Sequence, residues 1–284
     1  MVRSQLYREC TDQLDGAGIP DSRFDVLCIF QDMLGEKEPM FRPNEEVPET
    51  NELRIRELVK RRCQGEPLQY LLGEWEFYGL PMRVGEGVLI PRPDTETLID
   101  NVLGLVRKRS LSSPKIADLC SGSGCIAVTL KHLIPSAEVC AVELSEKALR
   151  YLRENVRLNS VDIHIIQGDV LSEETAGNLR ELDIIVSNPP YLTRSEMSEL
   201  QTEVAHEPEM ALAGGEDGLD FYRSMTPLWK NSLRPGGVLC YEFGMGQHGE
   251  IEKILAGNGF ENIEFTRDAG GIIRTVTAEK PEES

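Results

Sequence analysis

The chain has 284 residues, 40% of them apolar and 27% charged, which is ordinary globular composition and enough for one large domain or two modest ones. Its 30 basic and 48 acidic side chains leave a net charge of −18, a field that repels bulk nucleic acid and anionic membrane surfaces. No apolar run approaches the roughly 18 residues of a spanning helix, and residues 1–10 lack the apolar stretch of a secretory signal. The seven cysteines are odd in number and scattered, no CxxC occurs, and the four histidines stand far apart. The reading is a cytoplasmic protein with reduced thiols, no disulfide framework and no metal site.

Residues 1–73 read as a small helical domain. Phe24, Leu27, Cys28, Gln31 and Leu34 fall at helical spacing between Gly18-Ile19-Pro20-Asp21 and Gly35. A second helix runs from about Asn51 to Cys63, with Leu53, Ile55, Leu58 and Val59 apolar, and Pro39, Pro43 and Pro48 mark the stretch before it as a loop. Arg54, Arg56, Lys60, Arg61 and Arg62 make that helix locally basic, either a docking face or an ordinary solvated surface. Residues 74–91 predict a β-hairpin linker: Trp75, Phe77 and Tyr78 on one arm, Gly79-Leu80-Pro81 at the turn, then Met82, Val84, Val88 and Ile90. The segment Ile90-Pro91-Arg92-Pro93-Asp94-Thr95-Glu96 leads into a helix over about 94–108, within a third region spanning 92–284.

From Lys115 onward, apolar strands at 115–120, 138–143, 163–168, 182–187 and 237–243 alternate with helices at about 124–133, 146–158, 218–233 and 247–258. That alternation predicts an α/β fold, a doubly wound and mostly parallel seven-stranded sheet covered on both faces. The last two strands, 261–267 and 272–279, are joined by Asp268-Ala269-Gly270-Gly271, a hairpin turn, so one strand must run antiparallel.

Ligands in doubly wound sheets sit at the carboxyl edge of the strands, so each strand end is a candidate. The first ends Asp118-Leu119-Cys120-Ser121-Gly122-Ser123-Gly124-Cys125, a small-residue loop that lets backbone and a helix N-terminus approach a ligand; alone it serves equally as a tight turn. It is not GxGxxG and carries no Walker lysine, which argues against dinucleotides and triphosphates. The second ends at Glu143, placed for ribose hydroxyls, or simply an acid beside the helix-capping Ser145. The third ends Asp169-Val170, where a carboxylate can meet an adenine amino group or merely face solvent. The fourth ends Asn188-Pro189-Pro190-Tyr191, the sharpest signal in the chain, expected by chance below roughly 1% of the time at average proline content. Two prolines make a rigid turn. On it, the Asn188 side-chain oxygen and the Pro189 carbonyl can hold both hydrogens of a planar –NH2, and Tyr191 can stack on its flat face.

These four strand ends resemble those of class I S-adenosylmethionine-dependent methyltransferases carrying the NPPY motif, whose fold is Rossmann-like. Gly65-Glu66-Pro67-Leu68-Gln69-Tyr70-Leu71-Leu72-Gly73, Ile90 through Glu96, and Glu207-Pro208 with Ala211-Leu212 extend the resemblance, over nearly the whole chain, to the release factor glutamine methyltransferase (HemK/PrmC) family. The resemblance implies a protein-(glutamine-N5) methyltransferase acting as a monomer on peptide chain release factors, at a Gly-Gly-Gln motif, with no direct nucleic acid or membrane partner. It implies that Asp118, Cys120, Ser121, Gly122, Ser123 and Gly124 cradle the methionine part of S-adenosyl-L-methionine. By the same resemblance Glu143 binds the ribose, Asp169 and Val170 flank the adenine, Asn188 lies beside the cofactor, and Asn188, Pro189, Pro190 and Tyr191 hold the substrate amide, with Asn188, Pro189 and Tyr191 catalytic. The family often has Gly where this chain has Cys120, so the larger side chain implies an unstrained backbone there. Cys120 and Cys125 read as small hydrophobes.

Transfer of methyl to an amide nitrogen needs alignment and fixed dipoles more than a base, and no base is assigned. An adenine-N6 DNA methyltransferase would use the same –NH2 grip on a flipped base but needs a basic cleft, which an acidic chain does not offer. A methyltransferase of another translation component shares every feature except the partner. A non-catalytic cofactor-binding module would not need an intact Asn-Pro-Pro-Tyr.

Overall fold

The computed structural model describes residues 1–37 and 39–282. The chain divides into two compact units, residues 1–74 with 201–206, and residues 75–200 with 207–282.

The first unit is helical. Helices α1 (Arg3–Gly16), α2 (Ser22–Leu34) and α3 (Glu49–Cys63) pack on one another, and a short α4 (Leu68–Leu72) follows. The core comes from stripes at helical spacing: Leu6, Cys10 and Leu14 on α1, Val26, Ile29 and Phe30 on α2, Ile55 and Val59 on α3, all fully buried. Helix α1, which the sequence reading did not separate from the rest of residues 1–73, has its signal in those three residues at i, i+4 and i+8. Gly35 ends α2 in the left-handed conformation (φ 65°), as its position predicts. The basic character of α3 is mostly spent inside the unit. Arg56 pairs with Glu52 and Glu9, Arg61 with Glu66, and buried Arg62 reaches Asp25 at 2.6 Å and Glu203 at 2.5 Å.

A hairpin opens the second part of the chain: β1 (Glu74–Phe77) and β2 (Leu80–Arg83), turning through Tyr78 and Gly79, both at positive φ as a type I′ turn requires. The second arm is shorter than the 74–91 span expected. After Arg83 the chain leaves the ladder and runs as coil along α7 (Glu146–Leu158); a Cβ on Gly85 or Gly87 would collide with Tyr151 or Lys147.

The rest is α5 (Glu96–Lys108), β3 (Lys115–Leu119), α6 (Cys125–Leu133), β4 (Glu138–Glu143), then α7, β5 (His164–Gln167), α8 (Glu173–Gly177), β6 (Leu182–Ser187), α9 (Arg194–Met197), α10 (Asp220–Lys230), β7 (Leu233–Glu242), α11 (His248–Gly257), β8 (Glu261–Arg267) and β9 (Ile273–Glu279). Seven strands form one sheet in the order β5-β4-β3-β6-β7-β9-β8, with β9 antiparallel to both its neighbours. This is the doubly wound, mostly parallel sheet the alternation predicts. Period-two patterning builds both faces. Ile116, Val139, Ala141, Ile184, Val186, Val238 and Cys240 face α5, α6 and α7, while Ala117, Cys140, Val142, Ile185, Leu239 and Tyr241 face α8, α10 and α11. Strand order reverses between β3 and β6, so the carboxyl ends of β3, β4, β5 and β6 open on one crevice. Among the described residues no helix is long and apolar enough to cross a membrane.

Candidate active site

The crevice holds a cavity of about 220 Å³, several times the roughly 30 Å³ share of one water and therefore room for a ligand. Cys120, Ser121, Gly122, Ser123, Glu143, Asp169, Val170, Asn188 and Pro190 line it, so nine of the residues proposed from sequence converge on one space. Asp118, Gly124, Pro189 and Tyr191 do not line it, and Asp118, Gly124 and Tyr191 are held in structural contacts of their own.

Asp118 is fully buried beneath the loop. Its Oδ2 accepts from the Ala127 N–H at 3.1 Å, tying β3 to α6, while Oδ1 has no partner among the described residues. Burial pushes its carboxyl up to about 8, against the hydrogen bond from Ala127 that lowers it and with the nearby Glu143 raising it further. Gly124, at φ 79°, is the residue before α6, and any Cβ there would strike Leu152 of α7. Its role is close packing of turn against helix.

Cys120 departs from expectation. Its backbone is left-handed, φ 58°, where an L side chain is strained. The half-buried thiol lines the cavity with its ionisation pushed far up by burial and by Glu143, so it is a neutral, unreactive wall. Cys125 is buried, and its thiol is pushed up to about 12.

Glu143 anchors the loop. One oxygen accepts from Gly122 N–H and the other from Ser145 N–H, both at 2.7 Å. A carboxylate has about four acceptor positions, so two remain for ligand hydroxyls. Ser145 also caps α7 through Ala148 N–H, so both readings of this strand end hold together. Asp169 accepts from Leu171 N–H at 2.8 Å through Oδ1, a local turn that leaves Oδ2 for a ligand. Val170 is buried, and its carbonyl takes the indole N–H of fully buried Trp229 at 2.7 Å.

At the fourth strand end, Asn188 Nδ2 donates to Thr95 Oγ1 at 3.1 Å. The Pro189 carbonyl accepts no hydrogen bond from the described residues. Tyr191 is held by its backbone: its carbonyl accepts from Gln247 Nε2 at 3.0 Å, and Gly214 and Gly218 approach too closely to carry a Cβ.

Three features of the site escaped the strand-end reading. Arg92 forms an ion pair with Glu207, whose other oxygen accepts from Ile90 N–H at 2.9 Å, and Pro208, Met210 and Ala211 wall the cavity together with Gly87, Val88 and Leu89. The pair is separated by more than a hundred residues, so no local pattern announces it. Thr95 lies in the cavity wall beside Asn188, inside a segment singled out only for its resemblance. Glu242, 1% exposed, ends β7; applying the same strand-end rule to a fifth strand would have found it.

The cavity fits a nucleoside-bearing sulfonium on the chemistry of its donors. Glu143 and Asp169 offer carboxylates at successive strand ends, Val88, Ile126 and Val170 offer an apolar wall, and Gly122, at φ 55°, keeps its Cα side open.

Fold and site together define a methyltransferase of the seven-stranded class. Residues 96–216 match the Methyltransferase small domain and residues 5–73 the PrmC N-terminal domain. A methyltransferase from Pyrococcus furiosus superposes with a TM-score of 0.54 over 72% of this chain and 91% of its own, at 16% identity, a likeness of fold. A release factor glutamine methyltransferase of Fusobacterium nucleatum is 36% identical over 97% of this chain and 78% of its own length. One from Streptomyces coelicolor is 38% identical over 96% of both. The chain belongs to the release factor glutamine methyltransferase family.

Proposed function

We propose that this protein transfers a methyl group from S-adenosyl-L-methionine to the side-chain amide nitrogen of a glutamine in peptide chain release factors, within a Gly-Gly-Gln motif. The observation that carries the reading is the rigid Asn188 turn beside a cavity edged by Glu143 and Asp169. The names of the relatives supply the substrate class. S-adenosylmethionine, when bound, supplies an electrophilic methyl and a neutral thioether leaving group.

This chain's residues do the rest. Glu143 takes ribose hydroxyls, and Asp169 and Val170 flank the base. Asn188 gives one amide hydrogen to Thr95, which turns Nδ2 toward it and leaves Oδ1 to accept from the substrate –NH2. The Pro189 carbonyl accepts the other hydrogen. With both hydrogens held, the nitrogen lone pair is aimed along one line, and the two acceptors stabilise positive charge developing on nitrogen. Tyr191 borders this turn, with its phenol kept neutral by burial and by Glu242. Asn188→Ala removes an acceptor used mainly as charge develops. It should lower kcat about 10²- to 10³-fold and leave the dissociation constant for S-adenosylmethionine within about threefold. Equal losses in both would remove Asn188 from this role.

A further inference from the structure

Two of the four residues in the Asn188-Pro189-Pro190-Tyr191 turn have no N–H to give, so its main chain has to be held from its ends. Upstream it leaves β6 at Ser187, whose hydroxyl donates to the Leu119 carbonyl at 2.6 Å. Downstream it is pinned at Leu192, whose N–H donates to the Leu212 carbonyl at 2.9 Å and whose carbonyl accepts from Gly214 N–H at 2.8 Å. Within the turn itself, the Tyr191 carbonyl accepts from a distant side chain, Gln247 Nε2, at 3.0 Å. We infer that Gln247 is a positioning residue for methyl transfer: by holding the Tyr191 carbonyl it sets where the two acceptors of the turn, Asn188 Oδ1 and the Pro189 carbonyl, stand. This rests on the glutamine-methylation reading and adds to it a residue that does not line the cavity.

The Gln247 amide is fixed at both ends. Its Oε1 accepts from Gly244 N–H at 2.8 Å, so Nε2 is the end that faces Tyr191. The task needs a group that accepts from an N–H and donates to a carbonyl at once. A carboxylate there could only accept, and a lysine or arginine could only donate. The main chain of Gln247 is equally anchored. It precedes α11, and its carbonyl accepts from Glu250 N–H at 3.0 Å and Ile251 N–H at 3.1 Å.

The surroundings are cut to this contact. A Cβ on Gly218 would strike both the Tyr191 carbonyl and Gln247 Nε2. One on Gly214 would stand 2.7 Å from the Tyr191 Cα and 2.8 Å from the Pro190 oxygen, and one on Gly244 would crowd Gln247 Oε1 and the Tyr191 ring. Side chains are thus excluded at three positions where backbone closes on Pro190 and Tyr191. Without Nε2 the Tyr191 carbonyl would lose its donor, and the turn would be free to shift. The Pro189 carbonyl is two residues away along the same chain, and a displacement of about 1 Å in a substrate-positioning group can cost about 10²-fold in rate. Glu143 and Asp169 sit on other strand ends, so cofactor binding does not depend on Gln247.

The test measures methylation of a whole release factor and of a Gly-Gly-Gln peptide by wild type, Gln247→Met and Gln247→Glu as a function of pH. Gln247→Met keeps the length of the side chain and loses both hydrogen bonds. It should lower kcat about tenfold or more and leave the dissociation constant for S-adenosylmethionine within about twofold. Gln247→Glu is the sharper probe. Ionised, its carboxylate still accepts from Gly244 N–H but sets oxygen against the Tyr191 carbonyl; protonated, it donates there as the amide does. The ratio of its kcat to that of wild type should therefore climb as pH falls toward the glutamate range, from about tenfold or more below unity to within about threefold of it. A loss of packing alone would give a ratio indifferent to pH. A further readout needs no turnover: the carbonyl carbon resonance of Tyr191, followed by NMR, should move upfield in Gln247→Met and return toward its wild-type position in Gln247→Glu at acid pH. Wild-type kcat in folded Gln247→Met, a flat ratio for Gln247→Glu, or a Tyr191 resonance indifferent to Gln247→Met overturns the inference. If Gln247→Met does not fold, the ratio and the resonance of Gln247→Glu decide alone. Wild-type protein that methylates no glutamine would defeat the functional reading instead, and the Tyr191 resonance would still decide whether Gln247 holds the turn.

Discussion

Two residues of the β3–α6 loop carry costs that stability measurements can read. Cys120 adopts φ 58°, where a side chain costs about 1–2 kcal/mol relative to a right-handed position, and glycine escapes that strain at an entropic cost of about 0.5–1 kcal/mol. Cys120→Gly should therefore stabilise the protein by about 0.5–1 kcal/mol in denaturant unfolding; a loss of stability would mean that the thiol's packing outweighs the strain. Asp118 poses the opposite problem, a carboxyl buried with one oxygen unpartnered. An acid whose folded pKa is raised holds its proton more tightly in the folded state. Its contribution to stability is full below the ordinary 3.8 and is lost as pH rises through about 8. Asp118→Asn keeps the acceptor for Ala127 and removes the charge. Its melting temperature relative to wild type, without ligand, should climb steadily between about pH 4 and 8; a difference independent of pH would show that Asp118 titrates normally.

At the scale of elements, the strand–turn–helix unit β3–α6 depends on Gly124. Gly124→Ala adds strain at φ 79° and a collision with Leu152, and should cost about 2 kcal/mol or more and weaken cofactor binding with it. Titration with denaturant and with S-adenosylmethionine checks both, and an unchanged unfolding midpoint would contradict the packing role. Strand ends such as Glu143 and Asn188 were legible because parallel strands are continuous apolar runs that stop where polar residues begin. The hairpin at Asp268 was legible too: its carboxylate accepts from Ile272 N–H at 2.9 Å, closing the turn its Gly-Gly pair announces. Strand β7 begins at Leu233, earlier than expected at 237, because Pro235-Gly236-Gly237 looks like a loop but lies at a register shift against β6. The Arg92–Glu207 pair and the Asn188–Thr95 hydrogen bond were not legible, since only the tertiary fold brings those residues together.

At the scale of the molecule, family membership and the cavity converge on one activity, and a net charge of −18 disfavours a phosphate-rich substrate of the same –NH2 chemistry. The most direct test of this reading is mass spectrometry of a peptide chain release factor after incubation with the protein and S-adenosylmethionine, with a DNA duplex incubated in parallel. The expected result is one methyl in place of one hydrogen on a single glutamine side chain, absent with Asn188→Ala. An unmodified release factor beside methylated adenine in the duplex, or no transfer to either while S-adenosylmethionine binds, would contradict it.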